Sequence, residues 1–100
     1  MNLITKNLNV IRDLCKTYKV KNLYVFGSVL TNRFTEKSDV DFLFSFEPEI
    51  DYNNYADNYF ELLEHLQKLL NRKVDLVDEK TVINPYLKQS IEANKQVLYG

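Results

Sequence analysis

Residues 27–41 read GSVLTNRFTEKSDVD. A Gly-Ser pair closes an apolar run, a polar segment follows, and Asp39 and Asp41 then lie two positions apart. Strand residues two apart share a face, so the two carboxylates project together, roughly 6–7 Å apart along the strand. Carboxylates placed this way repel one another unless a cation or a shared proton intervenes. A phosphate cradle followed by an acid pair is what metal-assisted phosphoryl chemistry requires.

Reading outward, Val40, Phe42, Phe44 and Phe46 alternate with Asp39, Asp41, Leu43 and Ser45. This predicts a strand over 39–46 with one strongly buried side, ended by Pro48. Residues 22–26 form a second apolar run rich in strand formers. Ser28 is placed to cap a short helix reaching Asn32, and 33–38 is a polar loop. Ahead of these, Ile4, Leu8, Ile11, Leu14, Cys15 and Tyr18 recur at three- and four-residue steps, the pattern of one amphipathic helix over 3–18. Tyr52, Tyr55, Tyr59, Leu62, Leu66 and Leu70 mark a long helix closed at Asn71. Residues 73–77 read as a strand on which Asp75 faces away from Val74 and Leu76. Asn84-Pro85 opens a helix running to about Ala93, and 96–99 is a final short strand. Helices and strands alternate, so the expected fold is α+β: a two-layer domain with helices packed on a small mixed sheet.

The chain of 100 residues has the size of one domain, residues 1–100. Its apolar share of 45% and charged share of 27% are those of an ordinary globular protein. A net charge of -1 supplies no general attraction to nucleic acid or to an anionic membrane, and no dense Lys/Arg run is present. The single cysteine, Cys15, cannot close an internal disulfide. With no signal peptide and no long apolar span, a reducing cytoplasm is the expected location.

Each part of the central motif has a plain reading beside the chemical one. Gly27-Ser28 is either an ordinary strand-to-helix turn or a cradle whose backbone N–H groups and hydroxyl hold a triphosphate. Asp39 and Asp41 are either a solvated strand face or hard oxygen ligands for Mg²⁺. Aspartate is disfavoured in strands, which keeps the second reading level with the first and extends it to Asp75. Asp78 competes with Asp75, but it stands beside Glu79 and Lys80, where a turn aspartate needs no further explanation. Cys15 reads as packing and His65 as a surface residue. The tyrosines at 52, 55 and 59 continue the leucine stripe of their helix, so core or partner contact explains them better than base stacking.

Gly27-Ser28, a ten-residue spacer, Asp39-x-Asp41 and a later strand aspartate resemble the nucleotidyltransferase signature of the DNA polymerase beta superfamily. The short chain is most similar to the minimal nucleotidyltransferase (MNT) branch, whose members pair with HEPN-domain toxins. Val74-Asp75-Leu76-Val77 and the tail from Pro85 through Tyr99 carry the resemblance to the end of the chain. It implies that Gly27 and Ser28 bind the nucleoside triphosphate, and that Asp39, Asp41 and Asp75 are catalytic and bind two Mg²⁺ ions. It also implies a cytoplasmic antitoxin that transfers AMP from ATP to a hydroxyl of a partner protein, a tyrosine of a HEPN toxin, releasing pyrophosphate. A homo- or hetero-oligomer is compatible with it.

Family members often follow Gly-Ser with arginines and a further glycine; here the run is Val29-Leu30-Thr31-Asn32. Asn32 tolerates a left-handed backbone in place of that glycine, and Arg33 or Lys37 offers replacement charge. The altered run motivates a rival reading, an antitoxin with weak or lost catalysis that neutralises its partner by masking. A transferase acting on a small molecule such as an antibiotic is a third. A two-metal nuclease is disfavoured by the Gly-Ser cradle and the near-neutral charge.

Overall fold

A computed structural model describes residues 2–100. Two short helices, α1 (Asn2–Lys6) and α2 (Leu8–Thr17), lead into strand β1 (Val20–Phe26) and a 3-10 turn at Gly27–Leu30. Strand β2 (Val40–Phe46), helix α3 (Tyr52–Leu70) and strand β3 (Val74–Asp78) follow. A second 3-10 turn at Glu79–Thr81, helix α4 (Pro85–Asn94) and strand β4 (Gln96–Tyr99) complete the chain. The four strands form one mixed sheet in the order β3-β2-β1-β4. β1 runs antiparallel to both β2 and β4, whereas β2 and β3 are parallel. This is the expected α+β architecture.

Alternation in β2 sorts the sheet into two faces. Val40, Phe42 and Phe44 are fully buried and meet Leu23 and Val25 of β1, Ile11 and Cys15 of α2, and Leu62 and Leu66 of α3 in one core. The Phe44 ring lies 5.7 Å from that of Tyr59, which ties β2 to α3. Burial pushes the Cys15 thiol up to about 12, so the sulfur behaves as an apolar packing atom. Asp41 and Asp75 point to the other face, away from α2 and α3.

The helix ends follow their sequence signals. Asp51 accepts from the Asn53 N–H at the start of α3, and Asn71 closes it with a left-handed φ of 53°. Asn84 accepts from the N–H groups of Tyr86 and Leu87, with Pro85 in the first turn of α4. The first helix differs from expectation: it is broken at Asn7, whose side-chain amide donates to the Leu3 carbonyl at 2.8 Å. An amide that bonds its own backbone competes with the helical ladder, which apolar periodicity does not register. Lys19, with φ 65°, turns the chain from α2 into β1. Among the described residues no helix is long and apolar enough to cross a membrane.

Candidate active site

β1 ends at Phe26, which stands opposite Asp41 in the antiparallel register. The next residue, Gly27, has φ 81°, and a Cβ there would run into the Asp41 carboxylate. Both conditions demand glycine: the backbone is left-handed and passes directly over an acid side chain. Ser28 does not cap the turn that follows, since Phe26 occupies the cap position without a side-chain bond. The Ser28 carbonyl instead accepts from the N–H and the hydroxyl of Thr31, each at 2.9 Å. The segment makes a tight 3-10 turn rather than a helix reaching Asn32. Asn32 does not take a left-handed backbone either; Lys19 and Asn71 are the non-glycine residues that do so among those described. Closure by Thr31 makes a left-handed residue unnecessary.

Asp41 and Asp75 are register partners on the parallel strands β2 and β3. Parallel neighbours lie about 4.7–4.9 Å apart with side chains on the same face. Asp41 is half-buried and Asp75 exposed. Asp39 lies just outside β2, with its carboxylate 3.9 Å from the Lys73 ammonium, both largely in solvent. The Asp41 carboxyl is held above the usual carboxylate range, first by burial and then by the charges of Asp75 and Asp39. The three acids named from the sequence therefore form one electrostatic neighbourhood, with Asp41 at its centre.

Among the described residues, no three or more His, Cys, Asp or Glu side chains are arranged as a ready-made metal cage. Mg²⁺ does not need one. It takes one or two carboxylates and completes an octahedron with water and substrate phosphates. Hard carboxylate oxygens gathered around a half-buried Asp41, raised by burial and then by its acidic neighbours, are suited to a divalent cation, so the donor set fits Mg²⁺.

Beside Gly27 opens a cleft of about 520 Å³, lined by Phe26, Leu30, Ile91, Asn94 and Gln96 among others. It joins the Gly-Ser turn to α4, and its lining combines apolar side chains with the amides of Asn94 and Gln96. A separate cavity of about 470 Å³ lies on the opposite face, between Tyr55, Tyr59 and Phe60 of α3 and Leu76 and Asp78 of β3. Asp78 is 6% exposed there. It accepts from the Tyr55 hydroxyl and, at 2.9 Å, from the Lys80 N–H. Burial, then the bond and charge of Asp78, drives the Tyr55 phenol well above its usual range. Asp78 serves the following turn, as its position suggests, but its burial against Tyr55 is not visible from its neighbours in the chain.

A family model described as "Polymerase beta, Nucleotidyltransferase" matches residues 9–100. A relative from Methanocaldococcus jannaschii named "Putative protein adenylyltransferase MJ1379" is 41% identical over 92 residues, spanning 90% of this chain and 85% of the relative. A chain in the crystal structure of a toxin–antitoxin with AMP-PNP superposes with a TM-score of 0.72 at 27% identity, covering 94% of this chain and 73% of that one. A chain in the structure of a tri-AMPylated Shewanella oneidensis HEPN toxin in complex with MNT antitoxin superposes with a TM-score of 0.66 at 26% identity, covering 96% and 71%.

Proposed function

This chain belongs to the polymerase beta nucleotidyltransferase family and is a nucleotidyltransferase, and we propose that it moves AMP from ATP to a hydroxyl of a partner protein. The observation that carries the site assignment is the stacking of Gly27 over the Asp41 carboxylate, with Asp75 beside it in register. A triphosphate held at the backbone of Gly27 and the hydroxyl of Ser28 would lie against the acids that handle its metal. Asp39, Asp41 and Asp75 are the residues that would hold Mg²⁺. Bound there, the metal would supply positive charge to the reacting phosphate and would make the acceptor hydroxyl easier to deprotonate.

In the transfer, the acceptor oxygen bonds to the α-phosphorus, the bond to the bridging oxygen of the β-phosphate breaks, and pyrophosphate leaves. Asp75, exposed and in register beside Asp41, would take the proton of the acceptor hydroxyl. Gly27 and Ser28 hold the departing phosphates with donors already in place, so little reorganisation accompanies the developing charge. The cleft between the Gly-Ser turn and α4 offers apolar walls for a base and amides for its polar edge.

A domain of this size has little material beyond the site with which to select an acceptor, so the acceptor would be presented by a partner. The tri-AMPylated HEPN toxin among the structural relatives supports a toxin of that class as the partner, with this chain as its antitoxin; the proposed acceptor is a tyrosine of that toxin. Intact-mass spectrometry of such a partner, incubated with the chain, ATP and Mg²⁺, tests this. We expect addition of AMP that disappears with Asp41→Asn. A partner that is inhibited yet unmodified would overturn the reading and favour masking.

A further inference from the structure

Asp39 is gripped from both sides by one dipeptide of the β3 entry. On its C-terminal side, the Val40 N–H donates to the Lys73 carbonyl at 3.1 Å. On its N-terminal side, Nη1 of Arg72 donates to the Ser38 carbonyl at 3.1 Å and to the Thr35 carbonyl at 3.0 Å. Those two carbonyls belong to a tight turn in which the Ser38 N–H donates to Thr35 and the Thr35 N–H donates to the Ser38 hydroxyl. Arg72 thus bolts the turn that delivers Asp39 to the end of α3. Its guanidinium also lies 4.6 Å from the ring centre of Phe34, earlier in the same spacer.

Arg72 is itself held. Its N–H donates to the Gln67 carbonyl at 3.3 Å, and the Gln67 side chain accepts from the Val74 N–H at 3.2 Å. The end of α3, the start of β3 and the spacer are therefore one hydrogen-bonded unit. A residue present only to fill space would not carry the cost visible here, because Nε of Arg72 is buried without a hydrogen-bond partner. Methionine would fill much of the same volume without that donor. What the guanidinium combines is one terminal nitrogen that bridges two carbonyls and a flat face over Phe34.

We propose that Arg72 is a positioning residue for the nucleotidyl transfer, fixing through the Thr35–Ser38 turn the backbone that carries Asp39 to the metal. The inference rests on the proposed role of Asp39 as a metal ligand. Groups that orient metal ligands without touching the metal typically change affinity by roughly 10- to 100-fold when removed.

The test is Mn²⁺ binding in the presence of a non-hydrolysable ATP analogue, followed by electron paramagnetic resonance on the full chain. Wild type is compared with Arg72→Met, Arg72→Lys and Lys68→Met, each kept well below its own unfolding midpoint. Arg72→Met is expected to weaken Mn²⁺ binding by roughly 10- to 100-fold, and Arg72→Lys by less, since the lysine ammonium can donate to both carbonyls but lacks the flat face over Phe34. Lys68→Met is expected to match wild type, because Lys68 pairs with Glu64 on the solvent side of the same helix. A lowered midpoint with unchanged Mn²⁺ affinity in Arg72→Met would reduce Arg72 to a structural residue and overturn the proposal. Wild type that binds no Mn²⁺ would remove the metal site and the proposal with it. Wild type that binds Mn²⁺ but transfers no AMP would refute the proposed activity while leaving the Arg72 comparison decisive.

Discussion

Asp75 and Asp78 lie on the same five-residue strand and have opposite fates. Asp75 is exposed beside the Asp41 carboxylate, and among the described residues no hydrogen bond reaches it in the way the Tyr55 hydroxyl reaches Asp78. Asp78 turns toward the helices, is 6% exposed, and is met by a phenol and a backbone N–H. One site accumulates repulsion that a ligand can relieve; the other has its donors built in. Acidity alone therefore does not mark function, whereas the company of the acid does.

The contrast can be broken most sharply at Asp41. Asp41→Asn is expected to lower AMP transfer by roughly 10²–10³-fold, the scale seen when a group stabilising developing charge is removed. Its folded-state carboxyl is raised, so burying the ionised form opposes folding, and the group favours folding only at pH low enough to protonate it. Asp41→Asn should therefore hold or raise the thermal midpoint at neutral pH, and remove part of the gain in stability that wild type shows on acidification. A marked fall in midpoint would refute the assignment of Asp41 to a strained, ligand-awaiting role.

Next in size is the reciprocal pair on β3. Asp78→Ala strands the Tyr55 hydroxyl and the Lys80 N–H and should cost about 2–4 kcal/mol in denaturant unfolding. Asp75→Ala should stay within about 0.5 kcal/mol of wild type while abolishing transfer. Equal destabilisation by both would erase the distinction. Gly27→Ala forces a side chain into a left-handed backbone against Asp41, and should lose about 1–3 kcal/mol together with nucleotide binding. The smallest effect is expected for Tyr55→Phe, about 1 kcal/mol, with transfer unchanged. Loss of transfer there would mean that the two faces communicate.

Much of this arrangement is legible in the chain because it is written locally. Alternation in 40–46 sets the buried face of β2, and Asn71 and Asn84-Pro85 mark helix ends by side-chain chemistry within a few residues. The acids at 39, 41 and 75 are conspicuous because strands avoid aspartate. What escapes is the pairing across distance. Tyr55 and Asp78 are 23 positions apart, and Arg72 and Ser38 are 34 apart. A basic residue just past a helix end reads as a complement to the helix dipole, and nothing in its neighbours announces that its guanidinium reaches another loop. The break at Asn7 is missed for the opposite reason: it is local, but carried by an amide on a helix whose apolar spacing continues unbroken.

Cys15 has a practical consequence. It sits wholly buried on the inner side of α2, and its thiol ionises only near the top of the accessible pH range. An alkylating reagent can reach that sulfur only when the helical layer lifts off the sheet, so the rate of labelling times the opening of the molecule. A nucleotide or acceptor that binds only the closed form lengthens that time by a factor of one plus the ratio of its free concentration to its Kd. The chain therefore contains its own reporter for any ligand of the acidic face, read from the opposite side of the sheet without attaching a probe.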